Sequence, residues 1–157
     1  MRALIQRVKQ CRVLVEGKSV ASAGAGLLIL LGVKTDDGDE DAKYLAARCA
    51  ALRVFDDAEG KMNLSLRDVR GEAVVVSQFT LYGDTRKGNR PSYTDAAPPA
   101  LAERLYEAFV ASLRNDLGDA RVQTGVFRAL MDVHLVNDGP VTVMVESKPP
   151  ASASSNR

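Results

Sequence analysis

Apolar residues alternate with polar ones at 4–8 and at 13–15, with the β-branched content of strands, and Glu16-Gly17 supplies a turn before a further extended piece at 19–23. That opening predicts antiparallel strands. The run at 27–33 is apolar almost throughout, as in a central strand covered on both faces. Acidic residues at 39–41 then favour a helix start, and Leu45, Cys49 and Leu52 share the inner face of a helix over 39–53. Residues 56–60 read as a polar turn and 62–66 as a short connector. Residues 73–77 form a strand that delivers Gln78, Phe79 and Thr80 to its end. The stretch 83–99 is long, polar and rich in Gly and Pro, and loops of that length are functional or disordered. A second helix over 99–114 opens on Pro99 and buries Leu101, Leu105 and Phe109. Val122, 131–136 and 141–145 read as closing strands. The pattern predicts one mixed α/β domain over 1–147, with a largely antiparallel sheet and two main helices. The tail at 148–157 holds too little apolar surface to fold and is expected to be disordered.

A chain of 157 residues suits one domain with one sizeable core. Lys and Arg total 21 against 20 Asp and Glu. The near balance gives no global case for nucleic acid, so any anion-binding surface is local. Cys11 and Cys49 are far apart and form no CxxC pair, which argues for core or surface thiols rather than a zinc or redox site. Charge interrupts the first apolar residues too early for a secretory segment, and no apolar run approaches the roughly 18 residues of a membrane span. The expected location is the cytoplasm.

Two segments carry the chemistry. Ser77-Gln78-Phe79-Thr80-Leu81 closes an apolar strand, and Asn137-Asp138-Gly139-Pro140-Val141-Thr142 places a proline inside a strand-like run, where it removes a ladder donor. Ser77 and Thr80 have no His, Lys or carboxylate beside them in sequence, so neither hydroxyl reads as an activated nucleophile. Backbone N–H groups at a strand end can instead form an oxyanion hole. His134, the only histidine, alternates onto the same strand face as Asp132 and reads as a polar residue on an open face rather than a general base. One His and two separated Cys build no common metal site, and the carboxylates at 36–41 lack the spacing of a calcium loop. Arg86, Lys87 and Arg90 follow directly on the strand end, where they can meet the phosphates of a nucleotide terminus.

These motifs, with Met1-Arg2-Ala3-Leu4-Ile5-Gln6-Arg7-Val8, Glu59-Gly60-Lys61-Met62-Asn63, Arg90-Pro91-Ser92 and Gln123-Thr124-Gly125, resemble the D-aminoacyl-tRNA deacylase family from residue 1 to about 146. The resemblance implies a barrel-like sheet, a homodimer, no cofactor, and hydrolysis of the ester between a D-amino acid and the terminal adenosine of tRNA. It implies that Ser77, Gln78, Phe79 and Thr80 line the aminoacyl pocket, with the Phe79 and Thr80 N–H groups as oxyanion donors and the Thr80 side chain a disputed nucleophile. It also implies that a cis Gly139-Pro140 bond reaches into the partner subunit's pocket to reject L-amino acids, while glycyl-tRNA is accepted, including glycine mischarged on tRNA(Ala). The chain departs from the family pattern at 128–134, where Leu130 stands in place of the usual Asp. Two rival readings are a catalytically silent RNA- or DNA-binding protein on the same fold, supported by the loop cations, and a different small-ester hydrolase, weakened by the missing triad.

Overall fold

The computed structural model describes residues 1–148, so past Lys148 the expected disordered tail lies outside the described residues. In chain order the elements are β1 (Arg2–Val15), β2 (Lys18–Ala23), β3 (Gly26–Gly32), α1 (Asp39–Ala51), β4 (Phe55–Asp56), β5 (Met62–Leu64), α2 (Leu66–Val69), β6 (Glu72–Ser77), α3 (Pro99–Leu117), β7 (Val122–Thr124) and β8 (Asp132–Glu146). The main sheet runs β2-β1-β3-β6-β7, with β8 on the other side of β1. Pairs involving β1 are antiparallel, and β3, β6 and β7 are parallel. The parallel portion exists because helical crossovers separate those strands in sequence. The Ser22 N–H donates to Gln123 Oε1 at 2.8 Å, drawing β2 against β7 and nearly closing the sheet into a barrel.

The two opening strand segments are one strand. Ala3 and Ile5 face the helix-covered core, whereas Val8, Cys11 and Val13 face a second apolar cluster inside the barrel. A register shift between Val8 and Gln10 reverses the parity of the strand, so a single extra residue hides its continuity in the sequence. Glu16 and Gly17, at φ 49° and 76°, make the tight turn into β2.

The apolar run around β3 is indeed covered on both faces. Leu27, Ile29 and Leu31 pack with Leu45 of α1 and Leu105, Phe109 and Leu113 of α3, while Leu28 joins Val74 and Val76 in the barrel interior. Gly26 allows β3 and β6 to meet, since a Cβ there would lie 1.8 Å from the Glu72 carbonyl oxygen. Helix α1 ends at Ala51, two residues short of the predicted end, because Leu52 is already extended. Helix α3 continues to Leu117 and stops at Gly118, with Leu105, Phe109 and Leu113 buried and Leu101 only half-buried. The acidic cluster serves the start of α1: Asp41 accepts from the Gly38 N–H at 2.9 Å, and buried Asp37 accepts from the Met1 ammonium at 2.8 Å and the Lys34 N–H at 2.6 Å. Cys11 and Cys49 lie in separate clusters, and burial pushes the Cys49 thiol up to about 12.

Candidate active site

Ser77 pairs with Leu31 at the end of β6, and the Gln78 N–H donates to the Leu31 carbonyl at 2.8 Å. The chain then folds into a 3-10 turn, Phe79–Tyr82, closed by Leu81 N–H to Gln78 C=O at 3.2 Å and Gly83 N–H to Thr80 C=O at 2.9 Å. The first donors of such a turn have no carbonyl behind them. Among the described residues nothing accepts from the Phe79 or Thr80 N–H, and both residues are exposed. The Thr80 hydroxyl is held by the Gln78 side-chain amide rather than by a base.

Arg2 braces this turn from behind. Its Nη1 donates to the Leu81 carbonyl at 3.0 Å, its guanidinium lies 4.6 Å from the centre of the Tyr82 ring, and Glu146 pairs with its Nε. Burial raises the pKa of the Tyr82 hydroxyl, which stays neutral as part of the packing.

Ser77, Gln78 and Phe79 open onto a cavity of about 610 Å³, whose other walls include Tyr93, Phe127 and Met131. Phe79 meets Tyr93 edge to face at 5.1 Å between ring centres. The wall behind is fixed by the Val75 carbonyl, which accepts from the Tyr106 hydroxyl at 2.9 Å and the Gly125 N–H at 3.1 Å. Gly125 also leaves room for Met131, whose sulfur would lie 2.6 Å from a Cβ at that position.

The second segment is built as an outward excursion from β8. Asn137 pairs with Val8 and Thr142 with Gln6, so 138–141 stand opposite Arg7 alone. The predicted strands at 131–136 and 141–145 are therefore one strand carrying a large bulge. The Asn137 amide closes the base of the bulge, accepting from the Val141 N–H at 2.8 Å and donating to the Val141 carbonyl at 3.1 Å. Arg7, 8% exposed, reaches across with Nε to the Asp138 carbonyl at 2.8 Å and Nη1 to the Val54 carbonyl at 2.7 Å. Gly139 and Pro140 are exposed at the tip, joined by a cis bond. A Cβ at Gly139 would lie 2.5 Å from the Val141 nitrogen, so only glycine fits. Neither Gly139 nor Pro140 lines the cavity of its own chain. The fold separates the two segments within the chain.

The cationic loop is a closed hairpin, with Asp84 and Ser92 exchanging backbone hydrogen bonds of 2.7 and 2.9 Å. Arg86 forks onto Asp84 at 2.9 and 2.7 Å, and these bonds hold the Asp84 carboxyl down at about 2. Lys87 and Arg90 form no ion pair among the described residues. His134 pairs across the strand with Arg12 and lines a separate groove with Lys9. Arg2 and Arg7 are internal braces. Their distant backbone acceptors leave no spacing pattern that would reveal them.

The family described as D-Tyr-tRNA(Tyr) deacylase matches residues 4–146. A D-aminoacyl-tRNA deacylase of Thermosipho africanus (strain TCF52B) is 59% identical over 148 residues, covering 94% of this chain and 98% of its own length. One of Desulfatibacillum aliphaticivorans is 59% identical over 148 residues, covering 94% and 100%. A solved structure called c-Myc DNA Unwinding Element Binding Protein superposes with a TM-score of 0.91 at 37% identity, covering 95% of this chain and 100% of that one. A probable eukaryotic D-amino acid tRNA deacylase shares the fold, with a TM-score of 0.81 at 21% identity, covering 92% and 98%. With a strand-end turn whose first N–H donors have no acceptor among the described residues, a braced Gly-Pro bulge and this match along nearly its whole length, the chain belongs to the D-Tyr-tRNA(Tyr) deacylase family.

Proposed function

We propose that the chain hydrolyses D-aminoacyl-tRNA as a cytoplasmic homodimer, with the ester held by one protomer and its handedness screened by the other. One observation carries the two-protomer arrangement: the Gly139-Pro140 tip is exposed and absent from the cavity that Ser77, Gln78 and Phe79 line in the same chain. A second copy brings the tip to that cavity. Exposed Leu135, Val136 and Met144 on β8 supply apolar surface for such a contact.

The Phe79 and Thr80 N–H groups receive the oxyanion that forms when water attacks the ester carbonyl, and losing one such donor costs about 10²–10³ in rate. The terminal ribose 2′-hydroxyl assists departure of the 3′-oxygen, so the scheme calls on no protein base and no cofactor. An L side chain would collide with the Gly139-Pro140 carbonyl region, whereas a D side chain points away. Glycine has nothing to exclude, which makes glycyl-tRNA, including that mischarged on tRNA(Ala), a further substrate. Lys87 and Arg90, with Arg86 once released by Asp84, meet phosphates of the acceptor end. A second reading, nucleic-acid binding without catalysis, is raised by the name of the c-Myc DNA unwinding element binding protein. Ester loss from D-Tyr-tRNA and L-Tyr-tRNA separates the two. Cleavage of the D form alone is expected, equal cleavage rejects chiral screening, and no cleavage favours the binder.

A further inference from the structure

Among the described residues that line the cavity, Arg128 alone carries a formal charge; no Asp, Glu, Lys or His belongs to that wall. Its place in the chain is unusual. The Ala129 N–H donates to the Val126 carbonyl at 3.2 Å, closing a turn in which Arg128 stands third with φ 66°. That position favours Gly or Asn, because a Cβ crowds the backbone when φ is positive. The side chain brings no compensation from inside the molecule. It is exposed and has neither an ion pair nor a hydrogen bond to any described residue. Leu130, directly after the turn, is 94% exposed, so the tip of this wall is turned to solvent while Phe127 and Met131 on either side pack against the core.

A cavity wall with one free cation and no carboxylate fits an anion. In an aminoacyl-tRNA the carboxyl group is esterified and the amino group is cationic, so the anion common to every such substrate is the phosphodiester. We infer that Arg128 is a substrate-binding residue that contacts the 5′-phosphate of the terminal adenosine while the Ser77-Gln78-Phe79 wall takes the ester. This rests on the proposed deacylase reading. It gives the cavity a phosphate contact of its own, separate from the Lys87 and Arg90 loop.

The test is steady-state deacylation of D-Tyr-tRNA by the wild-type chain, Arg128→Asn and Arg128→Lys over a series of KCl concentrations. Asn suits the positive φ and keeps the fold, which a urea midpoint no lower than wild type checks. Arg128→Asn is expected to raise KM roughly three- to fivefold at low salt with kcat unchanged, and to flatten the slope of log(kcat/KM) against log[KCl] by about 0.7. Arg128→Lys should retain most of both. D-tyrosyl-adenosine without a 5′-phosphate should be cleaved equally by wild type and Arg128→Asn, whereas D-tyrosyl-adenosine 5′-phosphate should restore the difference. Kinetics of Arg128→Asn identical to wild type would overturn the proposal, as would a loss confined to D-Asp-tRNA, which would assign Arg128 to acidic side chains. A wild-type chain inert towards D-Tyr-tRNA would instead defeat the functional reading on which it rests.

Discussion

Replacing Arg7 by Met should both destabilise the protein and blunt its discrimination between D and L substrates. Arg7 donates to the Val54 carbonyl in a buried setting and to the Asp138 carbonyl in a half-buried one. Hydrogen bonds from a charged donor contribute about 1.5–3 kcal/mol each, and the half-solvated one belongs at the low end. The ion pairs at 3.4 Å to Asp56 and 3.6 Å to Asp138 add little, because those carboxylates are 53% and 43% exposed. Met recovers about 1 kcal/mol by burying its stem, leaving a net loss of about 2–4 kcal/mol. At a urea m-value of about 2 kcal/mol/M the midpoint should fall by about 1–2 M, compared at equal protomer concentration. Freed at Asp138, the tip should yield to L side chains, and the ratio of D-Tyr-tRNA to L-Tyr-tRNA cleavage should drop at least about tenfold, equivalent to about 1.4 kcal/mol. Asp56→Asn is the control and should cost under about 0.5 kcal/mol. A stable Arg7→Met protein, or a destabilised one with wild-type selectivity, would refute the brace.

Three other outcomes are expected. Gly139→Ala must displace Val141 or the tip, so selectivity between D-Tyr-tRNA and L-Tyr-tRNA should collapse, while stability falls by only about 1–3 kcal/mol because the bulge is solvated; both are read from ester loss and urea unfolding. Asp84→Asn releases Arg86 and should lower KM for D-Tyr-tRNA at low salt. Since the depressed Asp84 pKa keeps the pair intact above its ordinary carboxylate range and dissolves it only as pH falls through about 2, wild-type KM should show no contribution from this pair between neutral and mildly acidic pH. Thr80→Ala should retain appreciable deacylation in single-turnover assays while a substrate lacking the terminal 2′-hydroxyl is cleaved poorly; near-complete loss in a folded variant would restore the hydroxyl as nucleophile.

What was legible in the sequence depended on whether one local rule governed it. The run at 27–33 follows a single rule, burial on both faces, and its neighbours on each side are those it demands. The strand end at Ser77 was equally plain, because an apolar strand stops where polar residues begin. Strand β1 looks like two segments in the sequence because its parity flips between Val8 and Gln10, which alternation registers as a break. The bulge at 138–141 announced itself through Gly-Pro, but its braces did not. Arg7 lies 131 positions before Asp138, and Arg2 lies 79 before Leu81. From charge alone Arg86 belongs with Lys87 and Arg90, yet Asp84, two residues earlier, already neutralises it.

The braces also set how selective the proposed screen can be. A barrier that works by collision rejects the wrong enantiomer only up to the free energy needed to push the barrier aside. Thousandfold rejection of L-amino acids therefore requires a tip that resists about 4 kcal/mol of displacement. A two-residue tip with no side-chain packing of its own lacks that stiffness. Here it comes from the base: the Asn137 amide bonded to both backbone groups of Val141, and the Arg7 guanidinium on the Asp138 carbonyl. At about 1 kcal/mol for each neutral bond and about 1.5 kcal/mol for the half-solvated charged one, the three together reach about 3.5 kcal/mol. Removing either brace alone should leave partial rather than absent selectivity, and removing both should leave the ester-holding wall active on either enantiomer.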